Sequence, residues 1–185
     1  MGPRGDVILE ADWVIGEFIK TLEKEGILDN TLIVFSSDNG PVLNDGYYDD
    51  AIEKIGDHDQ NGGLRGGKYS IFEAGPRVPF ITYWKGKISP KVSDAIVCQM
   101  DLLSSLASLT GIEETSTDSQ DLLSAFLGES DKGRESLIIE ATGKTALRSG
   151  DWLYIPTYDG KNFREEVGIE VGNFPYEQLY NLKED

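Results

Sequence analysis

The sequence predicts an α/β domain followed by a smaller α+β unit with an antiparallel sheet, and three observations carry that reading. Residues 7 to 22 repeat apolar side chains at three- and four-residue intervals, residues 31 to 35 form a continuous apolar run, and beyond residue 136 short apolar runs alternate with turn residues. The first is the period of an amphipathic helix; the second has the length of a buried strand, and the third is the pattern of a hairpin sheet.

The helix sets Val7, Ile8, Ala11, Val14, Ile15, Phe18, Ile19 and Leu22 on one face and Glu10, Glu17, Lys20, Glu23 and Lys24 on the other, and Gly26 is a natural stop. Residues 31–35 read as a central strand covered on both faces, the usual state in an α/β sheet. That strand ends in Ser36-Ser37-Asp38-Asn39-Gly40-Pro41, where open α/β folds place their ligands. Residues 42 to 67 show no sustained periodicity, which marks a functional or mobile loop. Residues 80–84 predict a second strand. Asp101 is expected to cap a helix whose Leu102, Leu103, Leu106 and Leu109 share a face before Gly111 ends it. A polar connector follows, placing a boundary near 112 to 120 between units 1–112 and 113–185. The second unit offers a short helix near 122–127 and strands near 137–139, 146–148 and 152–155, with Ser149-Gly150-Asp151 as a hairpin turn. Trp13, Trp84 and Trp152 read as core.

The 185 residues carry 33 acidic and 17 basic side chains, a formal net charge of −16. That balance argues against nucleic acid or an anionic membrane as the main partner. One cysteine and one histidine exclude an intrachain disulfide and a Cys/His zinc site. No apolar stretch is long enough to span a bilayer. The charge is uneven: seven acidic residues and one lysine lie between Asp38 and Asp59, while six basic residues and only Glu73 lie between Asn61 and Val92.

Asp38 and Asn39 bring hard oxygen donors suited to Ca²⁺ or Mg²⁺, and Gly40 lets the chain turn both toward one ion. The same residues also make an ordinary Asx turn, and two ligands do not close a six- to eight-coordinate site. Gly62-Gly63-Leu64-Arg65-Gly66-Gly67-Lys68 presents two cations in a glycine-rich loop, a way to hold a tetrahedral oxyanion, although its spacing is not that of a P-loop. Glu73 and Arg77 are spaced for an ion pair. His58, between Asp57 and Asp59, lies between the metal and anion segments, and Cys98 sits in an apolar run that suits an inert thiol.

In order and spacing, Asn30-Thr31-Leu32-Ile33-Val34-Phe35-Ser36-Ser37-Asp38-Asn39-Gly40-Pro41, then Leu64-Arg65-Gly66-Gly67-Lys68, then Phe72-Glu73-Ala74-Gly75-Pro76-Arg77-Val78-Pro79 resemble the C-terminal half of the type I, formylglycine-dependent sulfatases of the alkaline-phosphatase-like superfamily. Asp12, Trp84-Lys85-Gly86-Lys87-Ile88, Met100-Asp101-Leu102-Leu103 and Gln178-Leu179-Tyr180-Asn181-Leu182 extend the likeness. The resemblance implies sulfate-ester hydrolysis, with Asp38 and Asn39 as two ligands of a divalent cation, usually Ca²⁺, and Lys68 on the sulfate. Glu73 and Arg77 would buttress the loop. Beside that implied set, placement in the loop suggests Arg65 as a substrate contact and His58 as a catalytic contact. The resemblance also implies a sulfated small molecule or glycan as partner and a periplasmic or secreted location.

The family's Cys-x-Pro-Ser-Arg-like nucleophile motif does not occur, since Cys98 is followed by Gln99-Met100-Asp101-Leu102. The formylglycine and the remaining metal carboxylates are therefore expected upstream, and the 185 residues are expected to be inactive alone. Two alternatives stand beside this reading: a phosphatase or phosphodiesterase of the same superfamily, and a non-enzymatic module that binds anionic glycans.

Overall fold

A computed structural model describes residues 2–116 and 118–184. Helix α1, Gly2–Lys24, begins earlier than the apolar period suggests and ends before Gly26, whose φ of +70° lets the chain reverse. Strand β1, Ile33–Ser36, pairs antiparallel with β2, Phe80–Tyr83, in a two-stranded sheet. This corrects, among the described residues, the expectation of a central strand covered on both faces. With one neighbouring strand and little over it, Phe35 stays 37% exposed. No helix among the described residues is long and apolar enough to cross a membrane.

The β1–β2 ribbon is tied down at its far end. Trp84, 8% exposed, donates its indole N–H to the Asp29 carbonyl at 2.9 Å. Lys85 meets Glu23 at 3.1 Å and Asp29 at 3.4 Å. Trp84 thus belongs to the core, but Trp13 and Trp152 do not: they are 63% and 49% exposed. Trp13 stands off the apolar stripe of α1, one turn from Glu17, and Trp152 points to the opposite face of its strand from buried Leu153.

Helix α2, Asp101–Thr110, ends on Gly111 at φ +72° as expected, but its buried side is not a leucine stripe. Asp101, Ser105 and Ala107 are buried while Leu103 and Leu106 are exposed. Asp101 does not cap the helix. Its carboxylate turns inward, accepts the backbone N–H groups of Cys98 and Gln120 at 3.0 Å each, and pairs with Arg134. The short helix α3, Leu123–Phe126, lies against β2, with Phe126 stacked on Phe80 at 5.4 Å.

The second unit is a four-stranded antiparallel sheet of order β3-β4-β5-β8, formed by Ser136–Ala141, Lys144–Ser149, Trp152–Ile155 and Gln178–Asn181. Thr142 and Gly143, both at positive φ, make the tight β3–β4 turn, and Gly150-Asp151 joins β4 to β5. A separate hairpin, β6 (Phe163–Arg164) with β7 (Ile169–Glu170), lies between β5 and β8 in the chain. One face of the larger sheet buries Ile139, Ala146, Leu153 and Ile155 against Ile71 and Phe72 of the first unit. Residues 70–75 are all buried, so the glycine-rich loop runs directly into the core.

Candidate functional site

The site begins where β1 ends. Gly40 N–H donates to the Gly75 carbonyl at 2.7 Å, and Lys68 N–H donates to the Pro41 carbonyl at 2.9 Å. The segment holding Asp38 and Asn39 is thereby stitched to the segment holding Lys68. The approach is close: a Cβ on Gly40 would fall 1.6 Å from the Ala74 carbonyl oxygen, so only glycine fits there. Gln99 secures the same turn from the other side, donating its side-chain amide to Ser36 Oγ at 2.9 Å and to the Ser37 carbonyl at 2.6 Å.

Asp38, Asn39 and Lys68 line one cleft of about 1260 Å³, together with Tyr69, Glu73 and Arg148. The Asp38 carboxylate is exposed, with Ser37 Oγ at 3.4 Å. The Asn39 amide nitrogen donates to the Gly40 carbonyl at 3.0 Å, which turns the amide oxygen away from that bond. Both offer hard oxygen donors, the chemistry a divalent cation takes. No group of three or more His, Cys, Asp or Glu side chains placed to hold a metal ion occurs among the described residues.

The cleft's other cations are spoken for. Arg148 meets both oxygens of buried Glu73 at 3.0 Å, Arg77 lies 3.5 Å from the same carboxylate, Lys91 pairs with Asp131, and Lys183 pairs with Asp151. Among the described residues Lys68 has no carboxylate within ion-pair distance; its ammonium lies 5.5 Å from the centre of the Tyr69 ring.

His58 and Arg65 do not line this cleft. His58 is half-buried in the 42–61 loop, its backbone N–H bonded to the Ile55 carbonyl. The Arg65 guanidinium forks onto Glu170 at 2.7 and 2.6 Å, donates to Tyr180 Oη at 3.0 Å and stacks on Phe72 at 4.0 Å. The Arg65 partner holds Glu170 below its ordinary range, more than offsetting the burial that raises it. Arg65 thus fastens the loop to the second unit. Burial, and then the nearby Asp101 carboxylate, push the Cys98 thiol up, which keeps it protonated rather than nucleophilic.

Sequence reasoning missed Gln99, Arg148, Arg134 and Glu170. Their partners lie 33 to 105 residues away, and no local spacing signals them.

Fold and cleft together define an α/β chain of the alkaline-phosphatase-like class that joins oxygen donors at a strand end to a lysine without a carboxylate partner. Residues 1–112 match the family model Sulfatase, and the chain belongs to that family. It is 42% identical, over its whole length, to an N-acetylgalactosamine-6-O-sulfatase of Bacteroides thetaiotaomicron, covering 37% of that protein. It is 31% identical to human arylsulfatase A over 82% of this chain and 30% of that protein. A solved structure described under metabolism of multiple glycosaminoglycans by Bacteroides thetaiotaomicron superposes with a TM-score of 0.92 and 41% identity, covering 97% of this chain and 38% of that one. A Pseudoalteromonas sulfatase superposes at 0.73 with 26% identity, covering 96% and 36%. The chain spans a little over a third of the length of the first of these curated relatives.

Proposed function

We propose that these residues form part of a sulfatase hydrolysing sulfate esters, in which Asp38 and Asn39 supply two ligands of a divalent cation, calcium first among candidates, and Lys68 binds the sulfate. The observation that carries this is the unpaired Lys68 ammonium sharing a cleft with the two oxygen donors. A bound cation would polarise the sulfate oxygens. Lys68 would donate to a sulfate oxygen and offset charge that develops as the S–O bond breaks, a role that a cation tied to a carboxylate fills poorly. Gly40, Gln99 and the Glu73–Arg148 pair hold these groups in place.

Two donors do not complete a cation shell, and the only thiol is held protonated, so the nucleophile and further carboxylates are assigned to segments outside these residues. The apolar sides of α1 and of the β1–β2 ribbon are where such segments would pack. In this reading residues 1–112 are the end of the catalytic domain, residues 113–185 are a C-terminal subdomain, and the 185 residues alone do not turn over substrate. The 42% identity to an N-acetylgalactosamine-6-O-sulfatase makes a 6-O-sulfated N-acetylgalactosamine the first glycan to try.

The test is hydrolysis of 4-nitrophenyl sulfate and of that sulfated sugar by the protein in its full encoded length. Lys68→Ala and Asp38→Ala should each lower kcat/KM by about a hundredfold or more, on the scale of a lost oxyanion donor. Unchanged rates would remove the residue concerned from the mechanism.

A further inference from the structure

Tyr69, the residue after Lys68, is one of three non-glycine residues at positive φ among the described residues, with φ +75°. A left-handed backbone at a bulky aromatic residue is strained, and persists where the surroundings hold it in place. Those surroundings are visible. Gly67 and Ser70 close a turn around it, with Ser70 N–H donating to the Gly67 carbonyl at 3.0 Å. The Arg164 guanidinium of β6 lies over the Tyr69 ring at 4.6 Å, and Glu166 holds that guanidinium at 2.9 Å. The same ring has the Lys68 ammonium 5.5 Å from its centre and lines the cleft. The rest of the β6–β7 hairpin grips the neighbouring loops, through Glu170 on Arg65 and through the Glu166 carbonyl on Asn44.

We infer that Tyr69 and Arg164 are positioning residues for Lys68: the strained turn and the ring carried by Arg164 hold the lysine ammonium facing the cleft. This rests on the sulfatase reading above and deepens it. A flexible four-carbon stem with no carboxylate partner has little else to fix it, and an aromatic face attracts a cation without neutralising it. The ammonium is therefore held yet stays free to meet an anion.

Two measurements test this. The first needs no activity: reductive ¹³C-methylation of the lysines, with the Lys68 resonance assigned by its loss in Lys68→Arg. Ring current should displace that resonance from those of exposed lysines, Tyr69→Phe should keep it displaced and Tyr69→Leu should return it; a Lys68 signal already among the others, or unmoved in Tyr69→Leu, overturns the inference. The second is kcat in the full-length protein. Tyr69→Phe should stay near the parent value, while Tyr69→Gly, which relieves the backbone and should not lower Tm, should reduce kcat by about tenfold or more, as misplaced groups do. Arg164→Ala should reduce it several-fold and Arg164→Lys restore part of the loss. Parent-like kcat in Tyr69→Gly or Arg164→Ala overturns the inference, provided Lys68→Ala is impaired; an unimpaired Lys68→Ala would instead bring down the sulfatase role of Lys68 itself.

Discussion

Asp101→Asn tests the most heavily invested charge in the chain. Asp101 is fully buried, and its carboxylate takes Arg134 Nε at 3.0 and 2.9 Å, Arg134 Nη2, and the backbone N–H groups of Cys98 and Gln120. Arg134 is itself only 9% exposed and also donates to the Asp118 carbonyl. An asparagine keeps the volume and can still accept from one or two donors, but leaves the guanidinium without a counter-charge. Removing one partner of a buried pair costs about 3–5 kcal/mol, against a total stability of about 5–15 kcal/mol for a domain. The loss also reaches the site, because Cys98 precedes Gln99, which holds the Ser36–Ser37 end of β1 beside Asp38. Urea unfolding followed by tryptophan fluorescence reads the effect. Asp101→Asn and Arg134→Met should each lower stability by about 3 kcal/mol or more, and the double variant should lose less than their sum, because no buried charge remains unpaired. Single losses below about 1 kcal/mol, or strict additivity, would refute the claim that this pair organises the loop.

Acid should act through the same carboxylates. Burial alone would raise Asp101, but Arg134 and the two backbone N–H groups outweigh it and hold it below its ordinary 3.8; Glu170 is held below its ordinary 4.5 mainly by Arg65. A lowered folded value means that the unfolded chain binds more protons, so this stability is complete above those ordinary values and lost as pH falls through the folded ones. Tm measured from pH 7 to 3 should decline below about 4.5, and the decline should be shallower in Asp101→Asn. Gly40→Ala should force β1 off the Ala74–Gly75 backbone and cost about 2–4 kcal/mol by thermal unfolding, whereas an unshifted Tm would mean the close approach is not real. Arg65→Ala, losing a half-exposed fork and a stacked cation, should cost about 1–2 kcal/mol, which at this size lowers Tm by a few degrees.

Elements whose signal is local were legible in the sequence. The α1 period, the apolar runs of β1 and β5, and the Gly150-Asp151 turn each follow from a few adjacent residues, and their positions agree with the structure to within a few residues. What was not legible depends on neighbours. Residues 31–35 look like a central strand because four of the five side chains are apolar, yet burial is decided by how many strands lie alongside, and among the described residues β1 has one. Asp101 looks like a cap because it opens a helix; Arg134, 33 residues away, and the Gln120 N–H, 19 residues away, help turn it inward. At the site, Asp38, Asn39 and Lys68 stand in recognisable strings. Arg65 stands in the same string, but Glu170, 105 residues on, draws its guanidinium to the second unit.

That long-range engagement changes how the two units should be regarded. The composition shifts near residue 112, but the packing does not divide there. Ile71 and Phe72, at most 2% exposed, are covered by β3, β4, β5 and Tyr180, and burial of such side chains stabilises by roughly 1.5–3 kcal/mol each. Both flank the segment that begins with Lys68. Arg65 before it is held by Glu170, Tyr69 within it by Arg164, and Glu73 after it by Arg148, so four anchors of one loop come from residues beyond 112. A short glycine-rich loop has little conformational preference of its own and would be poorly ordered without them. The sheet and hairpin of the second unit therefore act together as the back wall of the glycine-rich loop that carries Lys68, although none of their residues belongs to the proposed metal and sulfate contacts.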